Sequence, residues 1–203
     1  MLTILQIDTL VNNAGASFDH DLASGKITMR EAWNKAWDVN VTGAYITAWT
    51  FAPLLVKASE SAATSTNNTR HARLLFLGSG TASIAETTPG DSLGHLTQAP
   101  SAGWPKTDLG FDVTAYRSSK TGLNMMMRQW ERIFQKDSVL TFSISPAFLV
   151  TGLGNAGEAG REIMEKMGAQ GAHLGGEFIG DVVEGKRDGD AGLAIASDRV
   201  QPW

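Results

Sequence analysis

The sequence of 203 residues predicts one α/β domain, residues 1–203, built on a parallel sheet with helices on both faces. Short apolar runs alternate with longer segments in which apolar residues recur at helical spacing. The short runs are continuously apolar, which is typical of strands buried on both faces of a parallel sheet. Hydrophobic residues make up 42% of the chain, enough for the core of a single domain. We find no internal repeat.

The first predicted strand is Thr9–Val11, a short apolar run. It ends in the sequence Asn12-Asn13-Ala14-Gly15, which is typical of a tight turn. Residues 16–27 are mostly polar and predict a loop.

A long helix is predicted to follow this loop. Thr28 and Glu31 have the spacing of a capping box and mark its start. Apolar residues at helical spacing continue it to about Lys57, with a kink at 40–43, where β-branched residues and a glycine weaken the helix. Residues 59–70 are rich in Ser, Thr, Ala and Asn and predict a loop.

The second strand is predicted at 74–77, closed by Gly78-Ser79-Gly80. Residues 84–110 carry three prolines and few periodic apolar residues, and predict a long surface excursion. A second long helix is predicted from Thr114 to about Gln135.

The third strand is predicted at 139–144, and Ser145-Pro146 follows it. The stretch 152–177 is rich in glycine with one helical piece, and we expect it to be mobile and to cover the substrate side of a site at the strand's carboxyl end. A weak helix at 178–183 and a short strand at 193–196 complete the pattern. Right-handed crossovers predict that the first three strands lie side by side in chain order.

Composition excludes several classes of function. The net charge is −4 and no basic run is present, which argues against nucleic-acid binding. There is no cysteine, and the four histidines lack metal-ligand spacing, so we predict no metal site. We find no signal peptide and no window apolar enough to span a membrane, and therefore expect a cytoplasmic protein.

Tyr116 and Lys120 are the first candidates for chemistry. Their i,i+4 spacing on a predicted helix places both side chains on one face. A free tyrosine has a pKa near 10, and a neighbouring ammonium lowers that pKa by favouring the phenolate. The pair is therefore a candidate general acid and base. By itself, the spacing also occurs by chance in many helices.

Further motifs appear along the chain in a fixed order. They are Asn12-Asn13-Ala14-Gly15, Asp38-Val39-Asn40-Val41-Thr42-Gly43, Gly78-Ser79, Tyr116-x-Ser118-Ser119-Lys120 and Ser145-Pro146-x-x-Leu149-x-Thr151. Together they resemble the short-chain dehydrogenase/reductase family from about Ile7 to Thr151. The resemblance implies a Rossmann-like doubly wound sheet and a hydride-transfer enzyme acting on a carbonyl or secondary alcohol.

The resemblance also implies the residues of a catalytic site. Tyr116 matches the acid/base, and Lys120 matches the lysine that lowers its pKa and holds the nicotinamide ribose. Ser79 matches the serine that hydrogen-bonds the substrate oxygen. Asn40 matches the asparagine of a water relay to the lysine. Plainer roles stay open, because Asn40 could satisfy a helix kink and Ser79 could cap a strand end.

A nicotinamide cofactor, NAD or NADP, is implied in the same way. Besides Tyr116 and Lys120, the cofactor-binding positions implied are Asn12, Ala14, Gly15, Pro146 and Thr151. Thr151 could equally be the N-cap of the next helix. Nothing in the sequence selects between NAD and NADP.

The sequence departs from the family pattern ahead of Asn12. No Gly-x-x-x-Gly-x-Gly turn for the cofactor pyrophosphate precedes it, so we expect a fold lacking the first βαβ portion, a first strand at the sheet edge and weak dinucleotide binding. Gly152-Leu153-Gly154 is not expected to replace that turn, because we do not expect it between a strand and a helix at the start of a βαβ unit. Ala147 stands where the family usually has glycine.

Alternative functions remain open at this point. The main alternative is a non-catalytic, shortened relative acting through dimerisation. A cofactor-independent isomerase or lyase using Tyr116 has no positive support. In the family the two long helices, here about 28–57 and 114–135, commonly form an interface, which implies a homodimer or homotetramer.

Overall fold

The centre of the molecule is a four-stranded parallel sheet with strand order β1-β2-β3-β6. It is seen in a computed structural model that describes residues 5–64, 71–87, 96, 98–106, 109, 112–153 and 157–203. The strands are β1 Thr9–Asn12, β2 Ala72–Leu77, β3 Val139–Ser145 and β6 Ala194–Ala196. The predicted fold class and the order of the first three strands are confirmed. Within the described sheet, β1 is an edge strand, as expected.

Helices fill the connections between the strands. They are α1 Asp19–Ala23, α2 Met29–Trp37, α3 Ala44–Ala63, α4 Thr114–Phe134, α5 Gly157–Lys166 and α6 Ala172–Val183. The predicted capping box at α2 is confirmed: Thr28 N donates to Glu31 Oε2 at 2.7 Å, and Glu31 N donates to Thr28 Oγ1 at 3.3 Å. The predicted kink is a π-helical turn, Asp38–Gly43, which joins α2 to α3.

Two predicted loops of the first half are wrong in part. Residues 16–27 contain α1, and α3 continues beyond Lys57 to Ala63. Ser59 is buried and donates from Oγ to the Ser138 carbonyl at 3.2 Å, so a tertiary contact outweighs the low helix propensity of this serine-rich stretch. Residues 65–70 lie outside the described part.

The second half holds a small βαβ unit that the sequence did not predict. The two-residue strands β4 Leu149–Val150 and β5 Gln170–Gly171 pair in parallel on either side of α5. Gly152 therefore does lie between a short strand and a helix, contrary to the expectation for this glycine stretch. Residues 154–156 lie outside the described part, as do residues 88–95, 97, 107–108 and 110 of the predicted excursion at 84–110.

Alternate side chains of β2 supply the cores on the two faces of the sheet, as the two-residue period of a strand requires. Leu74 and Phe76 pack under α3 and α4, with Met127 and Trp130 in the same cluster. Leu75 faces the opposite side. Its cluster there also contains Phe142, Ile144, Phe178, Val182 and Ile195. Helices therefore cover both faces, and burial of these side chains, at about 25 cal/mol per Å² of apolar area, stabilises the fold.

By length and composition alone, one helical stretch, Met29–Ala63, could cross a membrane. The sequence analysis expected no such stretch. Ala44, Ala48, Leu55 and Ala58 on it are buried in the core cluster against the sheet. A helix that covers the core of a folded domain passes the same test.

Candidate active site

The candidate site lies where β2 ends and α4 begins. Ser79 follows β2 directly, while Tyr116 and Lys120 lie in the first two turns of α4. Gly78 allows β2 to end here, because its N–H donates to the Ile144 carbonyl at 2.8 Å and a Cβ at this position would lie 2.5 Å from Ser143 Oγ. The close approach of the two strand ends therefore requires glycine.

Tyr116 and Ser79 are brought together. The expectation that Lys120 lowers the pKa of Tyr116 is wrong: burial raises the pKa of the phenol above its ordinary value, and the interaction that acts in the opposite direction is with the Ser79 side chain. The Ser79 hydroxyl also accepts from Thr81 N at 3.2 Å. With its pKa raised, the phenol is protonated at neutral pH and can donate a proton.

Lys120 is buried beneath Tyr116, with 3% of its surface exposed. Its Nζ donates to the Leu77 carbonyl at 2.7 Å and lies 5.7 Å from the centre of the Tyr116 ring. Burial lowers the pKa of Lys120 to about 8. Lys120 can therefore exchange a proton near neutral pH and is still largely a cation beside the phenol at pH 7.

Asn40 connects the turn after β1 to α4. It is 1% exposed, in the π-helical turn. Its Oδ1 accepts from Ala16 N, and its Nδ2 donates to the Ala16 carbonyl and to Ser119 Oγ, each at 2.9 Å. The side chain thus satisfies backbone groups of Ala16, and it also holds Ser119, the residue before Lys120.

The Asn12–Gly15 turn lies beside Lys120. A Cβ on Gly15 would be 3.1 Å from Lys120 Nζ and 3.3 Å from Asn40 Oδ1, and both Ala14 and Gly15 are exposed. Asn12 is only 8% exposed, yet its Nδ2 has no hydrogen-bond partner among the described residues. The exposed backbone of this turn and the Asn12 amide nitrogen, which has no partner among the described residues, fit a polar ligand that lies against the turn.

Pro146 and Thr151 make contacts within the segment that follows β3. Pro146 packs against Gly175 of α6, where an added Cβ would lie 3.2 Å from Pro146 Cβ. Thr151 Oγ1 accepts from Leu153 N at 3.2 Å. Thr151 is therefore not the N-cap of α5, which begins at Gly157, and its cofactor role stays a prediction.

We did not predict a role for Asp19, which caps α4 from a distance of 96 residues along the chain. Its carboxylate accepts from Ala115 N at 2.9 Å and from Tyr116 N at 3.1 Å. Free N–H groups at a helix start favour a negatively charged acceptor. A local sequence signal for this contact does not exist, because the cap residue and the helix come together only in the folded chain.

Comparison with known proteins agrees with the motif order. The sequence model described as "short chain dehydrogenase" matches residues 3–67. The chain is 46% identical over 200 residues to short-chain dehydrogenase/reductase eupG of Phoma sp, covering 97% of this chain and 67% of that protein. It is 41% identical over 199 residues to short-chain dehydrogenase/reductase tropE of Talaromyces stipitatus, covering 97% and 66%. The chain thus spans about two thirds of these relatives' length.

Solved structures share the fold at lower identity. An NADPH-bound carbonyl reductase from chicken fatty liver superposes with a TM-score of 0.68 at 18% identity, covering 98% of this chain and 66% of that one. The carbonyl reductase Sniffer of D. melanogaster gives 0.65 at 17% identity, covering 99% and 68%. The parallel sheet, the motifs in order and the two relatives above 40% identity lead to one conclusion: this chain belongs to the short-chain dehydrogenase/reductase family.

Proposed function

We propose that this chain is an NAD(P)-dependent oxidoreductase that transfers a hydride between a nicotinamide cofactor and a carbonyl or secondary alcohol. The observation that carries the proposal is the approach of Ser79 to Tyr116 above a buried Lys120. Reduction of a carbonyl requires a hydrogen-bond donor and a proton donor at the carbonyl oxygen, which Ser79 and Tyr116 can supply. The Lys120 cation can stabilise the phenolate that remains after Tyr116 has given up its proton.

In the direction of reduction, the Ser79 hydroxyl donates a hydrogen bond to the substrate carbonyl oxygen and Tyr116 transfers its proton to that oxygen. The cofactor supplies the hydride to the carbonyl carbon when it is bound. Proton loss leaves Tyr116 as a phenolate, which the Lys120 ammonium stabilises across the 5.7 Å that separates Nζ from the ring centre. A lysine with its pKa near 8 can then help to return a proton to the phenolate.

For the cofactor, we propose that Lys120 and Asn12 face the ribose and nicotinamide, with Ala14, Gly15, Pro146 and Thr151 around them. The Asn12 amide nitrogen, without a partner among the described residues, and the exposed backbone at Ala14 and Gly15 support this placement. Known structures with the same fold include an NADPH-bound and two NADP-bound proteins, which favours a nicotinamide dinucleotide. We expect weak binding, because all of these proposed contacts are with the nicotinamide end of the cofactor.

The non-catalytic alternative also has a specific observation in its favour. Tyr45, Ile46 and Trp49 of α3 and Met125 of α4 are exposed apolar side chains on the two long helices. Such a surface suits a second copy of the chain in a homodimer or homotetramer. Association is compatible with both functions, so turnover decides between them.

The test is reduction of a panel of ketones by the purified chain with NADPH and NADH, followed by loss of absorbance of the reduced cofactor. Tyr116→Phe removes the transferable proton, and we expect the rate to fall by roughly 10²–10⁴-fold. Tyr45→Phe is the matched control, because Tyr45 is the other of the two tyrosines and lies on the exposed face of α3.

Two results would contradict the proposal. Equal rates for Tyr116→Phe and the unaltered chain would remove Tyr116 as the acid. Absence of turnover for every ketone, with both cofactors at saturating concentration, would favour the non-catalytic alternative.

A further inference from the structure

We propose that Gln201 is a positioning residue that holds the turn carrying Ser79 against the Tyr116 helix. A role for Gln201 in catalysis rests on the proposed function, whereas the contacts of Gln201 with the turn do not. Gln201 lies 121–122 residues after Ser79 and Gly80 in the sequence, outside every motif that the sequence analysis used.

Gln201 makes direct hydrogen bonds to the turn that carries Ser79. Its side chain is buried, with 3% of the residue exposed, and Nε2 donates to the Gly80 carbonyl at 2.7 Å and to the Ser79 carbonyl at 3.3 Å. Its own backbone N–H donates to the Ala194 carbonyl at 2.8 Å, which ties the residue to β6. The donor is therefore fixed to the sheet at one end and to the turn at the other.

The same turn is held from the opposite side by α4. Arg117 Nε donates to the Thr81 carbonyl at 3.0 Å, and Thr121 Oγ1 donates to the Ala82 carbonyl at 2.9 Å. Four consecutive carbonyls, those of residues 79–82, thus each accept a hydrogen bond from a side chain elsewhere in the fold. Of these side chains, only Gln201 donates to the carbonyls of Ser79 and Gly80.

This arrangement matters because the orientation of the Ser79 hydroxyl depends on the turn. Ser79 Oγ accepts from Thr81 N at 3.2 Å and lies 2.9 Å from Thr81 Oγ1. Without Gln201, the Gly80 carbonyl loses its side-chain donor, and the Ser79 carbonyl keeps only the Ala82 N–H, which donates to it at 3.0 Å. The start of the turn can then shift while α4 still holds Thr81 and Ala82. The hydroxyl would then move relative to the phenol.

The contact differs from general anchoring of residues 194–203. Arg199 forms an ion pair with Glu86 at 2.9 Å, and Ala85 N donates to the Trp203 carbonyl at 2.7 Å. These contacts hold the same segment without touching Ser79 or Gly80. Arg199→Met is therefore a matched control for loosening of the segment.

The experiment reads the Tyr116 phenol without cofactor or substrate. With Tyr45→Phe in place, Tyr116 is the single tyrosine, and 3-fluorotyrosine incorporation lets ¹⁹F NMR follow its titration at a pH that the fold tolerates. Gln201→Met keeps the length of the side chain and removes the donor. Because the interaction with Ser79 lowers the pKa of Tyr116, we expect both Ser79→Ala and Gln201→Met to raise that pKa.

A double-variant cycle separates positioning from other effects. In the Ser79→Ala background, Gln201→Met should shift the titration no further, and Arg199→Met should not shift it in either background. In turnover, kcat should fall several-fold for Gln201→Met with KM for the cofactor unchanged. Gln201→Asn keeps the amide on a stem one methylene shorter, and replaces the methionine variant if that does not fold.

The inference is overturned if the folded variant, checked by circular dichroism, titrates like its parent, if the two shifts add, or if Arg199→Met gives the same shift. Failure of the proposed function looks different, since a chain without turnover would still give the full titration result.

Discussion

Asn40 and Asn12 are both buried asparagines beside the turn that follows β1: Asn12 ends β1, and Asn40 joins that turn to α4. Asn40 makes three hydrogen bonds to protein groups, whereas the Asn12 Nδ2 has no partner among the described residues. The same contrast holds around them. Ser79 and Lys120 on the α4 side have fixed protein partners, while Ala14 and Gly15 on the β1 side are exposed. Protein contacts thus hold the residues proposed for proton transfer, whereas the end of β1 has a polar group without a protein partner among the described residues.

The largest expected effect on stability comes from removing the Asn40 side chain, which makes three hydrogen bonds. Asn40→Ala leaves the Ala16 N–H and carbonyl without their buried partner and removes the link to Ser119. Each buried group left unpaired costs about 1–3 kcal/mol. We expect the free energy of unfolding, measured by urea denaturation, to fall by about 3 kcal/mol.

Asn12→Leu is the matched change at the end of β1. It removes an amide nitrogen that has no partner among the described residues and fills similar space with apolar atoms. We expect a change of less than about 1 kcal/mol, with either sign. If Asn12→Leu destabilises the chain as much as Asn40→Ala does, the contrast between the two asparagines is wrong.

Lys120→Met should increase stability at pH 7 while removing activity. Burial lowers the pKa of Lys120 from 10.5 in the unfolded chain to about 8, a penalty on the ammonium of roughly 3 kcal/mol. Loss of the hydrogen bond to Leu77 offsets about 1 kcal/mol of this. The expected gain in the free energy of unfolding is therefore about 2 kcal/mol.

The pH dependence checks the cause of that gain. Between pH 8 and 10.5 the unfolded chain binds more protons at Lys120 than the folded chain does, so stability of the unaltered protein rises with pH. The advantage of Lys120→Met should shrink across this range and be lost above it. A gain that is constant from pH 7 to 10.5 would exclude burial of the charge as its source.

The sequence predicted the parts of the molecule that local patterns determine. Strand order, the capping box at Thr28 and the kink at Asp38–Gly43 follow from apolar runs, spacing and weak helix formers. It did not predict the helix cap and the side-chain hydrogen bonds that join segments distant in the chain. Asp19 reaches the α4 N-terminus and Gln201 reaches the Ser79 turn across about 100 residues, and no local pattern encodes such a contact.

The end of α3 shows the same limit for secondary structure. The Ser- and Ala-rich stretch after Lys57 resembles a loop, but contact between Ser59 and the turn at Ser138 keeps it helical to Ala63. The cofactor positions Pro146 and Thr151 remain predictions for a related reason. Their contacts in the fold are with their own segment, so neither contact distinguishes packing from ligand binding.

A small effect is also expected at Ala147, which follows Pro146 and has a φ of 79°. This left-handed conformation costs a residue with a Cβ about 1–2 kcal/mol, and glycine avoids that cost but loses about 0.5–1 kcal/mol in backbone entropy. Ala147→Gly should therefore stabilise the fold by about 0.5–1 kcal/mol, seen as a rise in Tm of about 1–4 °C. Ser138→Gly, at a φ of 55° in the turn before β3, is the control away from the site and should give a similar gain. Ala147 has no part in the contacts of Ser79 or Lys120, so we expect the fluorotyrosine titration of Tyr116 to be the same in both variants. The affinity for NADPH, measured by calorimetric titration, should change only in Ala147→Gly. A shift of the Tyr116 titration in Ala147→Gly would mean that the two sides of the site are coupled through the Pro146 turn, and the contrast drawn from the asparagines would fail there.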